Sequence, residues 1–476
     1  MKATYFLLLL ATFYCQSTQV ADSDGKEFVF SFSVYGYFGY SDATTASVIV
    51  IPTQNDCNCT FTYVTYIYNT TATFTKLALA HKSNEFTFEN EQVITLINYE
   101  GDFSIDTALD FRIFASCTEV VKLIGRIADP INGFGDFFVI PSIQNAAKKY
   151  ILDMPPTTLG PGGHILILPL TTVENAKINI IAYHLGALYS DTTYQFNTNL
   201  GAIQRYIDMD TYDSNINFSF EIYSNVPIML SIVSPFASTV KNAKWDGSNR
   251  FYNYISFMPI SSGDKTCHKK LTTPDRRMIT NDFTSSIYVS PTIYGGKCDE
   301  VDTITIYNGT ETGVVEEVSN FGATNISFVD QKQVGTSTNG GFMPIFRFVS
   351  IFSGQDGSTT FGHSAHYIPS TEEWVTGITY FHTLAAKCKL EVYIKSFDTE
   401  TTKIDDKDVK KNVKIVRKSM DMFNHKYDQF ISEIKGYGTH KIESTGSYIA
   451  YVICESVNSI YDAAAYLTAF NKRKSS

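Results

Sequence analysis

Apolar residues in this chain recur at every second position, and this alternation constrains the fold more than any other feature of the sequence. Clear examples begin at Phe28, Phe61, Phe218 and Thr303, where aromatic and β-branched residues alternate largely with polar ones. Such a period of two is typical of strands with one buried face. Short strands interrupted by Asn, Asp, Gly and Pro favour sandwiches or barrels, so the sequence predicts an all-β fold with few short helices.

Two short patterns repeat along the chain. The first is a strand, a small polar turn that begins with Ser, and an apolar strand; its serines lie 108, 113 and 107 residues apart, at Ser116, Ser224, Ser337 and Ser444. The second is an apolar run that ends in Pro141, Pro259 and Pro369 and marks the start of a module. Their common period predicts tandem β-sandwich-like modules of about 110 residues. The modules are placed at 24–128, 129–240, 241–358 and 359–470.

Helical spacing is confined to the last module. Met420, Phe423, Tyr427 and Phe430 follow an i, i+3, i+4 pattern, which predicts a short helix over Ser419–Ile434. Residues 461–470 are predicted to form a terminal helix or a strand. In both cases we expect these segments to pack against a sheet.

The N-terminus predicts the compartment. Lys2 precedes an apolar run over residues 5–11, and small residues follow it, so residues 1–17 are predicted to be a signal peptide, with cleavage there or a few residues later. No later stretch reaches about 18 apolar residues, and the C-terminal residues are polar, which argues against a membrane span or a lipid anchor. The sequence therefore predicts a secreted, extracellular protein.

Cysteines and sequons agree with that compartment. Outside the predicted signal peptide there are seven candidate disulfide cysteines: Cys57, Cys59, Cys117, Cys267, Cys298, Cys388 and Cys454. The predicted pairs are Cys117 with either Cys57 or Cys59, Cys267 with Cys298, and Cys388 with Cys454. Because seven is odd, one thiol is left over, which would allow an oligomer linked through it. Five predicted glycosylation sites are Asn58, Asn69, Asn217, Asn308 and Asn325.

Charge and motifs argue against several functions. A net charge of −10 disfavours nucleic acid, and 44% hydrophobic residues exclude a disordered chain. The basic run at Lys472 and Arg473 could contact anionic surfaces, although it carries few charges. No nucleophile elbow, metalloprotease motif, phosphate loop or dinucleotide fingerprint occurs.

Several residue pairs imitate catalytic or metal sites without satisfying their geometry. His363 and His366 have a spacing that does not converge on a strand, and Cys267 next to His268 is better explained by a disulfide. The acidic residues that could imitate a glycosidase pair or a calcium loop are Asp102, Asp106, Asp110, Asp208, Asp210 and Asp213. We interpret them as solvated loop residues, and predict no enzyme, catalytic residue, metal or cofactor.

Some segments resemble a known extracellular family. The segment from Phe138 to Leu152, the turn from Ile222 to Leu230, Thr266-Cys-His268, His366-Tyr-Ile-Pro and Gly446-Ser-Tyr-Ile-Ala-Tyr-Val-Ile are similar to the IgGFc-binding protein N-terminal domain family. The resemblance covers about residues 130–470. It implies a β-rich adhesion or mucus-type binding module without catalytic residues. The chain departs from the family at Leu271-Thr-Thr-Pro274, where Gln-Pro-Pro is common, so antibody binding is not carried over.

The sequence therefore predicts a secreted, non-catalytic binding or adhesion protein that recognises extracellular proteins or glycans. Exposed Tyr and Asn on loops would supply contacts, because Tyr combines a rigid apolar ring with a polar tip. Two alternatives remain, a secreted glycosidase-like hydrolase and a self-associating structural coat protein. The first requires two carboxylates across a cleft, and the second requires self-association.

Overall fold

The computed structural model describes most of the chain after residue 19. The described residues are 20–35, 41–65, 68–97, 103–157, 162–209, 218–238, 253–294, 298–320, 322–328, 331–353, 359–385, 388–411, 415–458 and 462–473. The predicted signal peptide, Asn217, Asp102, Asp210 and Asp213 lie outside them.

The all-β prediction is confirmed, because strands make up nearly all of the regular structure. The first ten strands are β1 (Gly25–Phe30), β2 (Phe32–Tyr35), β3 (Thr45–Pro52), β4 (Cys57–Val64), β5 (Thr71–Ala78), β6 (Asn84–Thr87), β7 (Ile94–Ile97), β8 (Phe103–Ala108), β9 (Ile113–Asp129) and β10 (Phe134–Ile140). The next seven are β11 (Ala147–Asp153), β12 (Gly163–Pro169), β13 (Ala176–His184), β14 (Ala187–Phe196), β15 (Gln204–Met209), β16 (Phe218–Ala237) and β17 (Asn253–Phe257).

Two further groups complete the chain. One is β18 (Asp264–Lys265), β19 (Asp275–Thr280), β20 (Thr284–Val289), β21 (Ile293–Tyr294), β22 (Thr303–Asn308), β23 (Val314–Glu317), β24 (Thr324–Ser327), β25 (Gln333–Thr338), β26 (Ile345–Ser353) and β27 (Thr359–Tyr367). The last is β28 (Val375–Thr383), β29 (Cys388–Lys395), β30 (Lys403–Ile404), β31 (Lys407–Asp408), β32 (Val416–Ser419), β33 (Tyr427–Ile434), β34 (Gly438–Glu455) and β35 (Ala463–Leu467).

Helices are few and short. The described α-helix is α1 (Asn90–Val93), and 3-10 turns lie at Ile143–Asn145, Asp398–Thr401, Val409–Lys411 and Phe423–His425. None of the helices in the described ranges has the length and apolar character needed to cross a membrane.

The same strand pairing occurs four times, and we call each occurrence a unit. In the first unit the N-terminal half of the long strand β9 pairs with β1 and β4, and its C-terminal half pairs with β3 and β10. Strand β5 then pairs with β4, and β6 pairs with β3. The long strand thus joins two four-stranded layers, which gives the curled sheet of a sandwich.

The other three units repeat this scheme. In the second, β16 takes the place of β9, flanked by β11 and β13 in one layer and by β12 and β17 in the other. In the fourth, β34 is flanked by β28 and β30 and then by β29 and β35. In the third, the long strand is divided into β25 and β26. Strands β14, β23 and β31 correspond to β5, and strands β15, β24 and β33 correspond to β6. Strand β8 extends the second sheet by pairing with β15.

The repeated Ser marks the bend of the long strand. Ser116, Ser224 and Ser444 lie inside β9, β16 and β34, near the point at which each strand passes from one layer to the other. The strand beside the bend carries a register shift in all three cases, as expected where a β-bulge accommodates a bend. A real break follows only Ser337, where two glycines, Gly340 and Gly341, separate β25 from β26.

The apolar runs that end in Pro form the last strands of three units, β10, β17 and β27. Each pairs with the strand before it in sequence, whereas the predicted boundaries at 128, 240 and 358 would assign them to the following module. Strand pairing alone does not define independently folding domains, so the module boundaries stay a prediction.

The last strands of the four units, β10, β17, β27 and β35, pack around the centre of the molecule, each against two others.

Polar contacts connect these four central strands. The Ser256 amide of β17 donates to Asp136 Oδ2 of β10 at 2.8 Å, and Ser364 Oγ of β27 donates to the Ala465 carbonyl of β35 at 2.6 Å. Asn253 Nδ2 of β17 donates to the Ala463 carbonyl of β35 at 3.0 Å. The first and last units also meet at the chain ends, where the Ser23 amide donates to the Phe470 carbonyl at 3.0 Å. The four units therefore close into a ring.

The helix predicted over Ser419–Ile434 is wrong. Residues Tyr427–Ile434 form β33, preceded by a short 3-10 turn, and the segment 461–470 contains strand β35. The reason is two-sided burial: Tyr427, Phe430 and the polar residues between them are all largely buried. A strand that is buried on both faces loses the period of two, so its apolar residues can imitate helical spacing by chance.

Candidate functional site: a basic cleft

A cleft of about 390 Å³ lies where the second, third and fourth units meet the C-terminal segment. Asn145 and Ala146 contribute from the turn before β11, and residues 260–266 and 269–271 contribute from the loop that contains β18. Gly341, Phe342, Glu373, Phe470, Lys472 and Arg473 complete the lining. This volume falls within the range of small-molecule sites.

Behind the lining residue Glu373 lies a buried charge cluster, which we call the floor of the cleft. Arg277 Nη2 lies 3.0 Å from Asp275 Oδ2 and 3.7 Å from Glu373 Oε2, and all three side chains are buried. The Tyr367 hydroxyl donates to Glu373 Oε2 at 2.7 Å. Burial raises the pKa of Glu373 to about 7, against the influence of Arg277, which lowers it. These contacts stabilise the floor.

Lys265 fixes the loop that forms one wall. Its Nζ donates to Tyr294 Oη, Glu300 Oε1 and Asp302 Oδ1 at 2.9–3.0 Å. Burial alone would lower the pKa of Lys265, but these hydrogen bonds raise it above its ordinary range. The Cys267–Cys298 disulfide ties the same loop to the segment before β22. The wall is therefore held by one ionic cluster and one covalent bond.

Apart from Arg473 Nη1, which lies 3.8 Å from Asp275 Oδ1, two buried polar atoms in the lining have no hydrogen-bond partner among the described residues. They are Asn145 Oδ1 and Ser262 Oγ, and both side chains are more than nine-tenths buried. Asn145 Nδ2 is used, since it donates to the Asp22 carbonyl at 2.9 Å, which orients the amide. A buried polar atom without a partner is costly, so these two atoms are suited to a ligand that brings hydroxyl groups.

The lining is basic although the chain is acidic. It contains five basic residues and two acidic ones, in a protein with a net charge of −10. Lys269, Lys270 and Lys472 are exposed at the rim. Asp264 is held by Lys149 Nζ at 2.9 Å, and Glu373 is buried in the floor. The rim therefore presents positive charge to an approaching ligand.

The structure contains the three disulfides Cys59–Cys117, Cys267–Cys298 and Cys388–Cys454. These are the pairings predicted from the sequence, with Cys59 as the partner of Cys117. The remaining cysteine of the described chain, Cys57, is unpaired and buried. A bond from Cys57 to a second chain would therefore require the start of β4 to open.

The described sequons lie on the surface. Asn58, Asn69, Asn308 and Asn325 are all exposed, on β4, before β5, at the end of β22 and on β24 respectively. Their positions leave room for glycans, and their occupancy stays a prediction.

The residues that imitate catalytic or metal sites are in structural contacts. His366 is buried and accepts a hydrogen bond from Arg347 Nε at 2.7 Å, while His363 Nδ1 lies 3.0 Å from Ser350 Oγ. Burial, followed by the Arg347 charge, lowers the pKa of His366 well below its ordinary value. A neutral, buried imidazole of this kind is a core residue.

The candidate carboxylates that the structure describes make protein contacts, and the interpretation of Asp110 and Asp208 as solvated loop residues is wrong because both are buried. Asp110 forms a buried pair with Arg112 at 2.7 Å, and Asp208 is buried beside Tyr35. Asp106 accepts a hydrogen bond from Ser104 on β8. His268 is exposed beside Asp299 and Glu300.

Sequence reasoning identified only part of the cleft. The basic run at Lys472 and Arg473 indicates a contact with anionic surfaces, and Lys269 with Lys270 beside a cysteine is a second local signal of this kind. Asn145 and Ser262 carry no local signal, because only the packing of the units buries them together.

No family model matches this chain, and no curated protein matches it either.

Proposed function

We propose that this protein is a secreted, non-catalytic extracellular binding protein, and that its basic cleft binds an acidic sugar. The observation that carries the proposal is the pair of buried, unpartnered atoms, Asn145 Oδ1 and Ser262 Oγ, below a rim of lysines. Asn145 Oδ1 can accept a hydroxyl hydrogen bond, and Ser262 Oγ can donate or accept one. The rim lysines would hold a carboxylate or sulfate group.

The apolar part of the lining supports a saccharide. Ile260, Leu271, Phe342 and Phe470 line the same cleft, so an apolar surface stands next to the polar atoms. A sugar ring offers one C–H face and a set of hydroxyl groups, and this combination matches the lining. A fully apolar ligand would leave the two buried polar atoms without partners.

Secretion, glycosylation and membership of the IgGFc-binding protein N-terminal domain family are parts of the same proposal. The three disulfides and the exposed sequons support the extracellular part. The exposed tyrosines Tyr68, Tyr189 and Tyr437 lie on three different strands or loops, so we assign recognition to the cleft instead.

The hydrolase and coat-protein alternatives have weaker support. The two carboxylates that line the cleft, Asp264 and Glu373, are bound to Lys149 and covered by Tyr367 respectively. A coat protein linked through the odd thiol would have to expose Cys57, which is buried. Hydrolysis of the bound saccharide, or concentration-dependent oligomers, would favour one or the other.

The test compares binding of sulfated and uronic-acid-terminated tetrasaccharides with binding of their neutral counterparts, first on an array and then by calorimetry. We expect binding of the acidic forms only, with affinity that falls as salt is raised. Lys270→Glu should weaken this binding by about five- to tenfold, since reversing a rim charge changes binding by about 1 kcal/mol or slightly more. Lys76→Glu, a charge reversal at an exposed lysine on β5, is the matched control and should change nothing.

A second variant separates binding from folding. Because Ser262 Oγ has no hydrogen-bond partner in the part of the chain that the structure describes, Ser262→Ala should weaken binding without lowering the melting temperature. Equal binding of neutral and acidic saccharides, or equal loss in the Lys270 and Lys76 variants, would refute the assignment of the cleft.

A further inference from the structure

Three sulfur atoms lie together in the first unit. Cys57 and Cys59 are two positions apart on β4 and so share one face of the strand, and Cys117 is directly opposite Cys59 on β9. The Cys57 Sγ lies 3.7 Å from the Cys59 Sγ, and all three Sγ atoms are within 4.8 Å of one another. All three residues are buried. A thiol is thus held beside a disulfide.

We propose that Cys57, Cys59 and Cys117 form a thiol–disulfide exchange site in which Cys57 can replace Cys59 as the partner of Cys117. The Cys57 thiol loses its proton, and the thiolate attacks the Sγ of Cys117. A bond forms between these two sulfurs as the Cys59–Cys117 bond breaks, and Cys59 leaves as a thiolate that takes up a proton. The numbers of thiols and disulfides are unchanged, so no oxidant or reductant is consumed.

The position of Cys57 favours this exchange. Cys57 is the first residue of β4, so only the end of the strand has to move, while Thr60 to Tyr63 remain paired with β9. A bond between Cys57 and Cys59 is less suitable, because two residues along a strand span about 6.6 Å, near the upper limit for a disulfide. Burial raises the pKa of the Cys57 thiol, so the exchange should be slow at neutral pH and faster in alkaline solution.

A matched control lies in the fourth unit. The Cys388–Cys454 disulfide also joins two paired strands, with the same Cα–Cα distance of 4.1 Å as Cys59–Cys117. Among the described residues, the only free cysteine is Cys57, in the first unit. When one cysteine of the disulfide is lost, Cys57 should therefore take its place at the first site, whereas no described free cysteine can do so at the second.

The experiment maps disulfides in the secreted protein by mass spectrometry. The sample is alkylated in acid denaturant, deglycosylated and digested with trypsin without reduction. In Cys59→Ser we expect the peptide 27–76 to remain linked to the peptide 113–122, now through Cys57. In Cys388→Ser we expect Cys454 to be alkylated and unlinked. Alkylation of both Cys57 and Cys117 in a secreted Cys59→Ser protein would overturn the proposal.

The wild-type protein gives a second measurement that does not depend on the folding of a variant. After incubation at pH 8.5, the linked peptides should contain a growing fraction with the alkyl group on Cys59 instead of Cys57. The Cys57→Ser protein should keep the Cys59–Cys117 linkage throughout. A wild-type label that stays on Cys57 at every time and pH would also overturn the exchange.

Discussion

Asp462 provides a quantitative test of the central packing. Its side chain is fully buried just before β35, and Asn458 Nδ2 donates to its Oδ2 at 2.5 Å. Burial raises the pKa of Asp462 from 3.8 to about 7, against the hydrogen bonds from Asn458 and Asn253, which lower it. Asp136 on β10 is buried nearby, and burial, reinforced by the charge of Asp462, raises its pKa as well. We predict that Asp462→Asn changes the pH dependence of stability.

The sign and size follow from proton linkage. Between pH 3.8 and about 7 the unfolded chain has released the Asp462 proton while the folded protein retains it. The contribution of the Asp462 carboxyl to the free energy of unfolding is therefore fully present below pH 3.8. It falls as the pH rises and levels off above about pH 7. A difference of about 3 pKa units corresponds to about 4 kcal/mol. Asparagine does not titrate, so Asp462→Asn should be spared this loss.

The assay is urea unfolding at several values between pH 4 and pH 8. The stability of Asp462→Asn relative to wild type should increase across this range by about 4 kcal/mol, with most of the change between pH 4 and pH 7. Asp42→Asn replaces an exposed carboxylate and serves as the control, with a profile parallel to that of wild type. Parallel profiles for Asp462→Asn and wild type would refute the reasoning.

Three further predictions concern other parts of the fold. Arg347 and Glu391 form a fully buried pair at 2.7 Å, so Arg347→Met should lower the free energy of unfolding by about 3–5 kcal/mol in urea, and Glu391→Leu should partly restore it. Gly163 has a φ of +115° and a strand carbonyl 2.1 Å from any added Cβ; Gly163→Ala should therefore lower the melting temperature much more than Ala at the open Gly186. Peptide N-glycosidase should reduce the mass of the secreted protein, and Asn325→Gln should remove one glycan; an unchanged mass in both would reject glycosylation.

The alternation of apolar residues was sufficient to predict the all-β class. It failed at 419–434, where burial on both faces of β33 removes the alternation. The repeated Ser was recognised, but its role was not, because a bend inside one strand and a turn between two strands have the same local composition. In β9 the neighbouring strand decides between them, since a register shift in β1 accommodates the bend.

The pairings of the cysteines were narrowed by sequence and decided by register. Cys57 and Cys59 both precede the same strand pattern, and only the alignment of β4 with β9 places Cys59 opposite Cys117. A shift of one residue would turn both cysteines to the other face of the strand.

The sequence by itself determined the all-β class, because strand patterning depends on neighbours two residues apart. Only the tertiary structure decided the cleft. Asn145, Ser262 and Lys472 come from segments far apart in the chain, and they meet because the units close into a ring. Their burial and their unused hydrogen-bonding atoms are properties of that packing, which no local pattern encodes.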